Sequence, residues 1–332
     1  YLFFFVFSIY FFLATFLRSM YGQNQVKKYT RGAIQMGLIL EDMVQIQVPL
    51  LSDTFQQAIN NVVSNSFQKI NGANQAYSGA ENILLKTLGL SNLQPSKESV
   101  NVKRFSESFG SSGRLDAEYY QVKYEDYFSL IKAYSGGSVP FATVCNLKDK
   151  NFKPKDKTQY KYIELANIGK SGEITDCITE IGEELPTRAR RKVATNDVVV
   201  SSIEGSLDCC ALVTPEYDSA LCSTGFYVVS SKKLNPETLL ALFKSEPMQA
   251  LLKKGCSGTI LTAISKTELS KIPIPLIDVE TQKDIKVKIN ESFAIRKQSE
   301  HLLDVAKRAV EMAIEQDEET ALKFIGEQTS KL

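Results

Sequence analysis

The segment from Leu17 to Phe67 recurs without a gap from Phe243 to Phe293, every position displaced by a single offset of 226 (275 − 49). Pro49 answers Pro275. Ser19/Ser245, Gln23/Gln249, Lys27/Lys253, Lys28/Lys254, Gly32/Gly258, Ile46/Ile272, Gln56/Gln282, Ile59/Ile285, Ser66/Ser292 and Phe67/Phe293 are identical at that offset. A gapless match of this length marks a duplicated structural unit. Two copies of one unit present two similar surfaces about a pseudo-two-fold axis, a geometry suited to a bipartite target such as two half-sites along a duplex.

A chain of 332 residues accommodates two or three domains, and 43% hydrophobic residues is enough to fill their cores. Lysine and arginine number 39 against 38 acidic residues, a net charge of +1 that argues against a histone-like, purely electrostatic binder. Local clustering of charge is therefore what matters. The six cysteines form no CxxC pair and the only histidine is His301, so zinc-ligand spacing is absent and no metal site is expected. Thiols in this pattern read as reduced, which places the chain in the cytoplasm.

The apolar run YLFFFVFSIYFFLATFL at residues 1–17 has the composition of a membrane span or a signal peptide. The repeat gives a different reading. At the common offset it falls on FYVVSSKKLNPETLLALF, a pattern for a buried strand, a turn and an amphipathic helix. The run also lacks a basic segment before it and a small-residue cleavage site after it. A first residue of tyrosine and the missing front of copy one predict an N-terminally truncated fragment.

The expected organisation is α+β, with mixed α/β domains joined by two long antiparallel coiled-coil helices. Residues 1–51 read as the end of a first mixed domain: a strand, a helix around Phe12–Tyr29, a Gly32 loop and a strand ending in IQVPLL, where Pro49 removes a ladder donor. Residues 52–90 read as a first spacer helix with an N-cap at Ser52 or Asp53. The serine- and glycine-rich stretch 91–113 reads as a linker. A second mixed domain at 114–277 opens with the tyrosine-rich GRLDAEYYQVKYEDYFSLIKAY, expected to be helical. Its β-like runs are YKYIELANI, NDVVVSSI, CALVTP and GFYVVSS. A second spacer helix at 278–316 and a tail at 317–332, helical or frayed, complete the chain.

In the first spacer helix Ile59, Val63, Phe67, Ile70, Tyr77 and Leu84 step by three, four or seven residues, the seam of a coiled coil. Ile285, Ile289, Phe293, Leu303 and Val310 repeat the seam in the second. At 1.5 Å per residue such a helix runs roughly 55 Å, longer than a small domain is wide, so it needs a partner along its length. Antiparallel pairing of the two is the economical solution; two independent surface helices are the alternative. Gly72 and Gly79 weaken the middle of the first helix by about 1 kcal/mol each relative to alanine.

Catalytic signatures are absent: no GxxxxGK[ST], HExxH or GxSxG motif occurs, and IGKSGEI near Ile168 has only the loose glycine spacing of a β-turn. The chain is read as non-catalytic. Binding features are better represented. LPTRARRKV packs Arg188, Arg190, Arg191 and Lys192 into five residues, and arginine forks suit phosphates or the O6/N7 edge of guanine. The bland alternative is a solvated charge run balanced by Glu180, Glu183 and Glu184. KDKNFKPKDKTQYK (148–161) reads as a loop able to neutralise phosphates nonspecifically. Lys253, Lys254, Ser257 and Thr259 fall on Lys27, Lys28, Arg31 and Ala33, so each copy carries basic residues beside a glycine-containing loop.

Two copies of a proline-bearing strand entering a long helix, IQVPLLSDTFQQAI and IPIPLIDVETQKDI, resemble the specificity subunit of type I restriction–modification enzymes. GRLDAEYYQVKY resembles the entry to a target-recognition domain of that family, and LPTRARRKVATNDVVVSS and CSTGFYVV resemble its central strands. The resemblance implies a DNA reader of a split site whose helix pair sets the spacing. Such a reader recruits methyltransferase subunits and a restriction subunit, and those partners bring S-adenosylmethionine, ATP and Mg; this chain itself needs no cofactor and no membrane. On this chain it implies DNA contacts from Arg188, Arg190, Arg191, Lys192, Lys170, Ser206, Lys253 and Lys254. It assigns Ile59, Val63, Phe67, Leu84, Ile285, Ile289, Phe293 and Val310 to the helix interface. Two other readings stay open: a recognition module of a fused restriction–methylation enzyme, and a membrane-anchored coiled-coil scaffold.

Overall fold

The computed structural model describes residues 2–32, 36–98, 100–258 and 260–331, the side chains of 2–9 excepted. Tyr1, Ala33 and Thr259 lie outside the described residues. In chain order the elements begin with α1 (Leu2–Arg18), α2 (Met20–Tyr29), α3 (Leu40–Met43), α4 (Asp53–Thr87), α5 (Phe109–Ser112) and α6 (Val122–Lys132). Next come β1 (Ser138–Pro140), α7 (Phe141–Val144), β2 (Cys145–Lys148), β3 (Gln159–Ile163), β4 (Ile178–Ile181), β5 (Ala189–Lys192), β6 (Val198–Ser201), β7 (Cys210–Leu212), β8 (Leu221–Ser223) and β9 (Phe226–Ser231). The chain closes with α8 (Pro236–Lys244), α9 (Glu246–Lys254), β10 (Cys256–Ser257), β11 (Ala263–Ile264), α10 (Lys266–Lys271), β12 (Pro273–Pro275), α11 (Val279–Glu315) and α12 (Glu318–Thr329). Two compact units divide it: Tyr1–Gln75 with Ser292–Leu332, and Ala76–Glu291.

The first unit is helical. Phe12 and Phe16 of α1 are buried with Phe55, Ile59 and Val63 of α4, Leu302, Ala306 and Val310 of α11, and Ala321 and Ile325 of α12. Each large apolar side chain so buried contributes about 1.5–3 kcal/mol. The strand expected at the start of the chain is instead the first half of α1. The second copy shows why: its equivalent, β9, is hydrogen-bonded to β2 and β6, whereas the first unit offers no such neighbours among the described residues, so the run satisfies its backbone internally as helix. The IQVPLL strand likewise forms no ladder here. The tail is ordered as α12, capped by Asp317, whose carboxylate accepts the Thr320 N–H at 2.7 Å.

Within this unit α4 and α11 run antiparallel: Ser66 faces Ser299, Lys69 Nζ donates to Gln298 at 2.7 Å, and Arg296 Nη2 donates to Asn74 at 2.8 Å. Ile59, Val63 and Val310 are buried in the seam. Phe67 is a correction, being 51% exposed and stacked on Phe11 at 5.6 Å, while Phe293 is only half-buried. Ser66 takes the seam position instead, because a true helical period of 3.6 advances the buried face past the heptad reading. Ser66 Oγ and Ser299 Oγ lie 2.7 Å apart, and each hydroxyl reaches the other residue's carbonyl, at 3.1 and 2.9 Å. Ala73 continues the small-residue seam, and Gly72 leaves room for Ile295.

The second unit is a sandwich of two four-stranded sheets, ordered β2-β9-β6-β7 and β4-β3-β8-β5. Its core joins Val199, Ala211, Phe226 and Val228 of one sheet to Ile163 and Cys222 of the other. The first turns of α11 lie in this unit with Ile285 and Ile289 fully buried, as is Leu84 of α4, and Gly79 lies against the Lys288 stem. GRLDAEYY is not helical; α6 begins only at Val122. The stretch expected as a linker is tied to that helix, the Ser96 N–H donating to Asp126 at 2.8 Å and Lys103 pairing with Glu125 at 2.7 Å.

The duplication is visible bond by bond. Ser19 and Ser245 hydroxyls donate to Phe16 O and Leu242 O at 2.6 and 2.7 Å. Gln23 and Gln249 amides donate to Leu17 O and Phe243 O at 2.7 and 2.6 Å. Gln56 and Gln282 donate to Leu51 O and Ile277 O at 2.9 and 2.8 Å. The Arg31↔Gly37 bridge matches the Ser257↔Ala263 pairing of β10 and β11.

One lattice point is missing. At the common offset Ser66 answers Ser292 and Ser299 answers Ala73, so the first copy lacks the second serine, and the buried Ser292 hydroxyl has no partner. An unmet buried hydroxyl costs about 1–3 kcal/mol. Ala73→Ser is expected to raise unfolding stability by about 1 kcal/mol, read as a shift of the denaturant midpoint at unchanged slope. A lowered midpoint would show that the seam has no room for the added oxygen.

Candidate nucleic-acid interface

β5 carries the sequence ARRK at the end of its sheet, paired with β8 on one side and touched on the other by Asn151–Phe152, through the Asn151↔Arg191 bridge and the Phe152 N–H that donates to Arg190 O at 2.7 Å. Ala189 anchors it, buried with Tyr162, Leu185 and Leu221, and a register shift between Ala189 and Arg191 interrupts the usual alternation of faces. Arg188, just before the strand, is exposed, and its carbonyl accepts the Thr224 N–H at 2.9 Å. Arg190 is held by donation from its Nε to Thr187 O at 2.9 Å. Lys192 is exposed and lies over the Phe152 ring at 5.6 Å.

Arg191 stands apart: its Nε and Nη1 are buried and make no hydrogen bond. A buried guanidinium without acceptors carries a standing desolvation cost, which an incoming anion would offset. Its charge opposes the effect of burial at Tyr227 and at Cys222, whose thiol burial nevertheless pushes up to about 12. Nearby, a recess of about 450 Å³ is lined by Leu147, Lys148, Asp149, Lys150, Phe152 and Lys192. Two of its charges are internally matched: Lys148 Nζ binds the buried Asp197 at 2.7 and 2.8 Å, and Lys266 holds the Asp149 carboxyl below the usual carboxylate range. Among the described residues no ion pair links Arg188, Arg190, Arg191, Lys192 or Lys150 to an acid, the neighbouring Glu180, Glu183 and Glu184 included.

The other expected DNA contacts lie elsewhere. Lys170 is exposed on the turn before Gly172, whose φ of +83° and close neighbour Leu240 exclude a side chain. Ser206 is half-buried in a turn, its hydroxyl 3.0 Å from that of Ser201. Lys253 pairs with Glu118 at 3.7 Å and Glu204 at 4.0 Å. Lys254 lies over the Tyr119 ring at 4.9 Å and the Phe128 ring at 5.6 Å, and desolvation there holds its ammonium below the usual lysine value. It is a wall of a recess of about 200 Å³ with Leu251, Glu268 and Lys271, and Lys253 and Ser206 are likewise committed to contacts within the chain. Sequence reasoning missed Arg114, which stacks on Tyr119 at 4.3 Å, grips Asp116 at 2.6 and 2.7 Å and donates to Cys256 O at 2.8 Å. A lone arginine in GRLDAEYY gave no signal beyond the string itself.

No protein-family model matches the chain, and no curated protein matches it. Solved structures resemble it. A structure of the type I R-M system, described in terms of its complex assembly and conformational transition, is 25% identical with a TM-score of 0.42, over 53% of this chain and 46% of that chain. The HsdS subunit from Thermoanaerobacter tengcongensis is 24% identical with a TM-score of 0.42, over 54% of this chain and 47% of that one. The S subunit of the type I restriction–modification system from M. genitalium is 13% identical with a TM-score of 0.36, over 95% and 72%. The likeness is to type I restriction–modification structures. The chain spans about half the length of the first two.

Among the described residues no group of histidine, cysteine or acidic side chains could hold a metal ion, and no helix is long and apolar enough to cross a membrane. Burial pushes the thiols of Cys145, Cys210, Cys222 and Cys256 up to about 12, so almost none is thiolate at neutral pH. In a timed iodoacetamide labelling of the native chain followed by peptide mass mapping, those four are expected to stay unmodified while the half-exposed Cys177 and Cys209 react slowly. Rapid labelling of Cys222 would show that the two sheets separate.

Proposed function

We propose that this chain reads duplex DNA as the specificity subunit of a type I restriction–modification complex, without catalytic chemistry of its own. The observation that supports the reading is the basic cluster of the sandwich, Arg188, Arg190, Arg191 and Lys192 on and before β5, none in a direct ion pair among the described residues, beside the lysine-lined recess. Arginine forks held on a strand can meet phosphates and base edges together. Lys170 is a further exposed contact.

The duplicated unit and the antiparallel helices support reading of a two-part site. Partners, in this reading, are methyltransferase subunits and a restriction subunit in the cytoplasm, which contribute S-adenosylmethionine, ATP and Mg. Lys253, Lys254 and Ser206 are assigned to holding the domain's own loops rather than to the first contact with DNA.

The test is a filter or anisotropy titration of cognate and scrambled duplex with the partner-assembled complex. Arg190→Ala combined with Arg191→Ala is expected to weaken cognate binding by about 10- to 100-fold and to flatten the log affinity against log salt slope by roughly one to two. Assembly and circular dichroism should be unchanged. Affinity equal to the parent's would move the DNA surface off β5, and an isotherm blind to sequence in the parent complex would overturn the specificity reading.

A further inference from the structure

The hairpin of β10 and β11 projects an apolar tip from the second unit. Ile260 is fully exposed and Leu261 is 65% exposed. Gly258 makes the turn possible: its φ is +144°, and a Cβ there would stand 2.5 Å from the Leu261 carbonyl oxygen. Below the tip, four hydrogen bonds hold the hairpin. Arg114 Nη2 donates to Cys256 O at 2.8 Å, the Glu204 N–H to Thr262 O at 2.9 Å, the Ile264 N–H to Ser202 O at 2.8 Å, and the Tyr227 hydroxyl to Ile264 O at 2.8 Å. Two aliphatic side chains are thus held out in water on a fixed base.

The hairpin shares a rim with the basic cluster. Ser202, whose carbonyl accepts from Ile264, donates its own N–H to Gly225 O at 2.8 Å, and the adjoining Thr224 N–H donates to Arg188 O at 2.9 Å. Three strand spacings of about 4.8 Å link Ile264 to Arg188 in this way, the span of roughly four phosphates along one strand of a duplex. Glu118, Glu204 and Asp116 around the hairpin are already answered: the first two pair with Lys253 at 3.7 and 4.0 Å, and Asp116 with Arg114 at 2.6 Å. A polyanion reaching the tip meets no unpaired charge at these three carboxylates.

The first copy repeats the device. Gly32 has a φ of +130° and Arg31 is bridged to Gly37, while Ile34, outside the described residues, answers Ile260 at the common offset. Around that isoleucine the loop has changed, with Ala33, Gln35 and Met36 in place of Thr259, Leu261 and Thr262. An isoleucine kept at one turn beside a basic strand has a use in a reader of duplex DNA. Apolar side chains can enter between base pairs and unstack them, and a β-branched one, restricted at χ1, is stiff enough to do so.

We propose that Ile260, backed by Leu261, is a wedge that enters a base step of the duplex gripped at β5 and partly unstacks it. The deformability of that step then becomes part of what is read. The inference rests on the DNA reading given above and adds to it a contact that is neither a phosphate clamp nor a hydrogen bond to a base.

The test uses the partner-assembled complex and cognate duplexes carrying 2-aminopurine at one position at a time, a base whose fluorescence rises when it is unstacked. Ile260→Ala is the variant and Ile260→Leu the conservative control. At one position, binding of the parent is expected to raise the fluorescence, and the rise is lost in Ile260→Ala and kept in Ile260→Leu. Cognate affinity of Ile260→Ala should fall roughly three- to tenfold at an unchanged salt slope, because no phosphate contact is removed. The same fluorescence at every position in the parent and in Ile260→Ala would overturn the wedge and leave binding at β5 untouched. Loss of subunit assembly in Ile260→Ala would overturn it as well, since the tip would then face a protein. A parent complex that binds scrambled duplex as tightly as cognate removes the DNA reading itself, and the wedge with it.

Discussion

Two helices that touch along a seam of serine, alanine and glycine bury polar atoms between them, and each one that the opposite helix does not answer costs stability. That cost fixes the pairing of α4 with α11 in the first unit. The Ser66 and Ser299 hydroxyls bond each other and each other's carbonyl, a closed arrangement that exists in one register only. Sliding either helix by a turn would leave two buried hydroxyls without partners, at about 1–3 kcal/mol per unmet group. The apolar contacts around Phe55, Ile59 and Val310 supply most of the stability, and the polar pair supplies the address.

The sandwich follows a different logic. Its two sheets are held by small and branched residues that interlock between β3, β8, β6 and β9, and the last strand, β5, carries its charge on that rigid support. Ala189 and Val193 bracket Arg190, Arg191 and Lys192, so three cations are held in place by two buried neighbours. A cluster on a flexible loop would lose more conformational freedom on binding.

Much of this was legible in the sequence. The offset of 226 foretold equivalent helices, caps and amide bonds, and the matching bonds of Gln23 with Gln249 and Gln56 with Gln282 follow from it directly. What failed depended on residues distant in the chain. The opening apolar run reads as a strand by its repeat, yet among the described residues the neighbours that a strand needs lie in the second unit. Phe67 fits a heptad, but the three-dimensional period places Ser66 inward. Lys254 lies over Tyr119 and Phe128, remote in sequence, a setting that no local pattern announces. Arg191 was expected as one of four equal cations, and its burial, set by the Ala189/Arg191 bulge, has no local signature.

The prolines of the repeated strand have a consequence for how far pairing can spread. Pro273 and Pro275 in one copy, and Pro49 beside the Gln25 clamp in the other, point their missing donors away from the side where β1 sits or would sit. Each segment can therefore accept one companion and no more. Such a ladder is terminated chemically at its second rung, which works against stacking into fibrils.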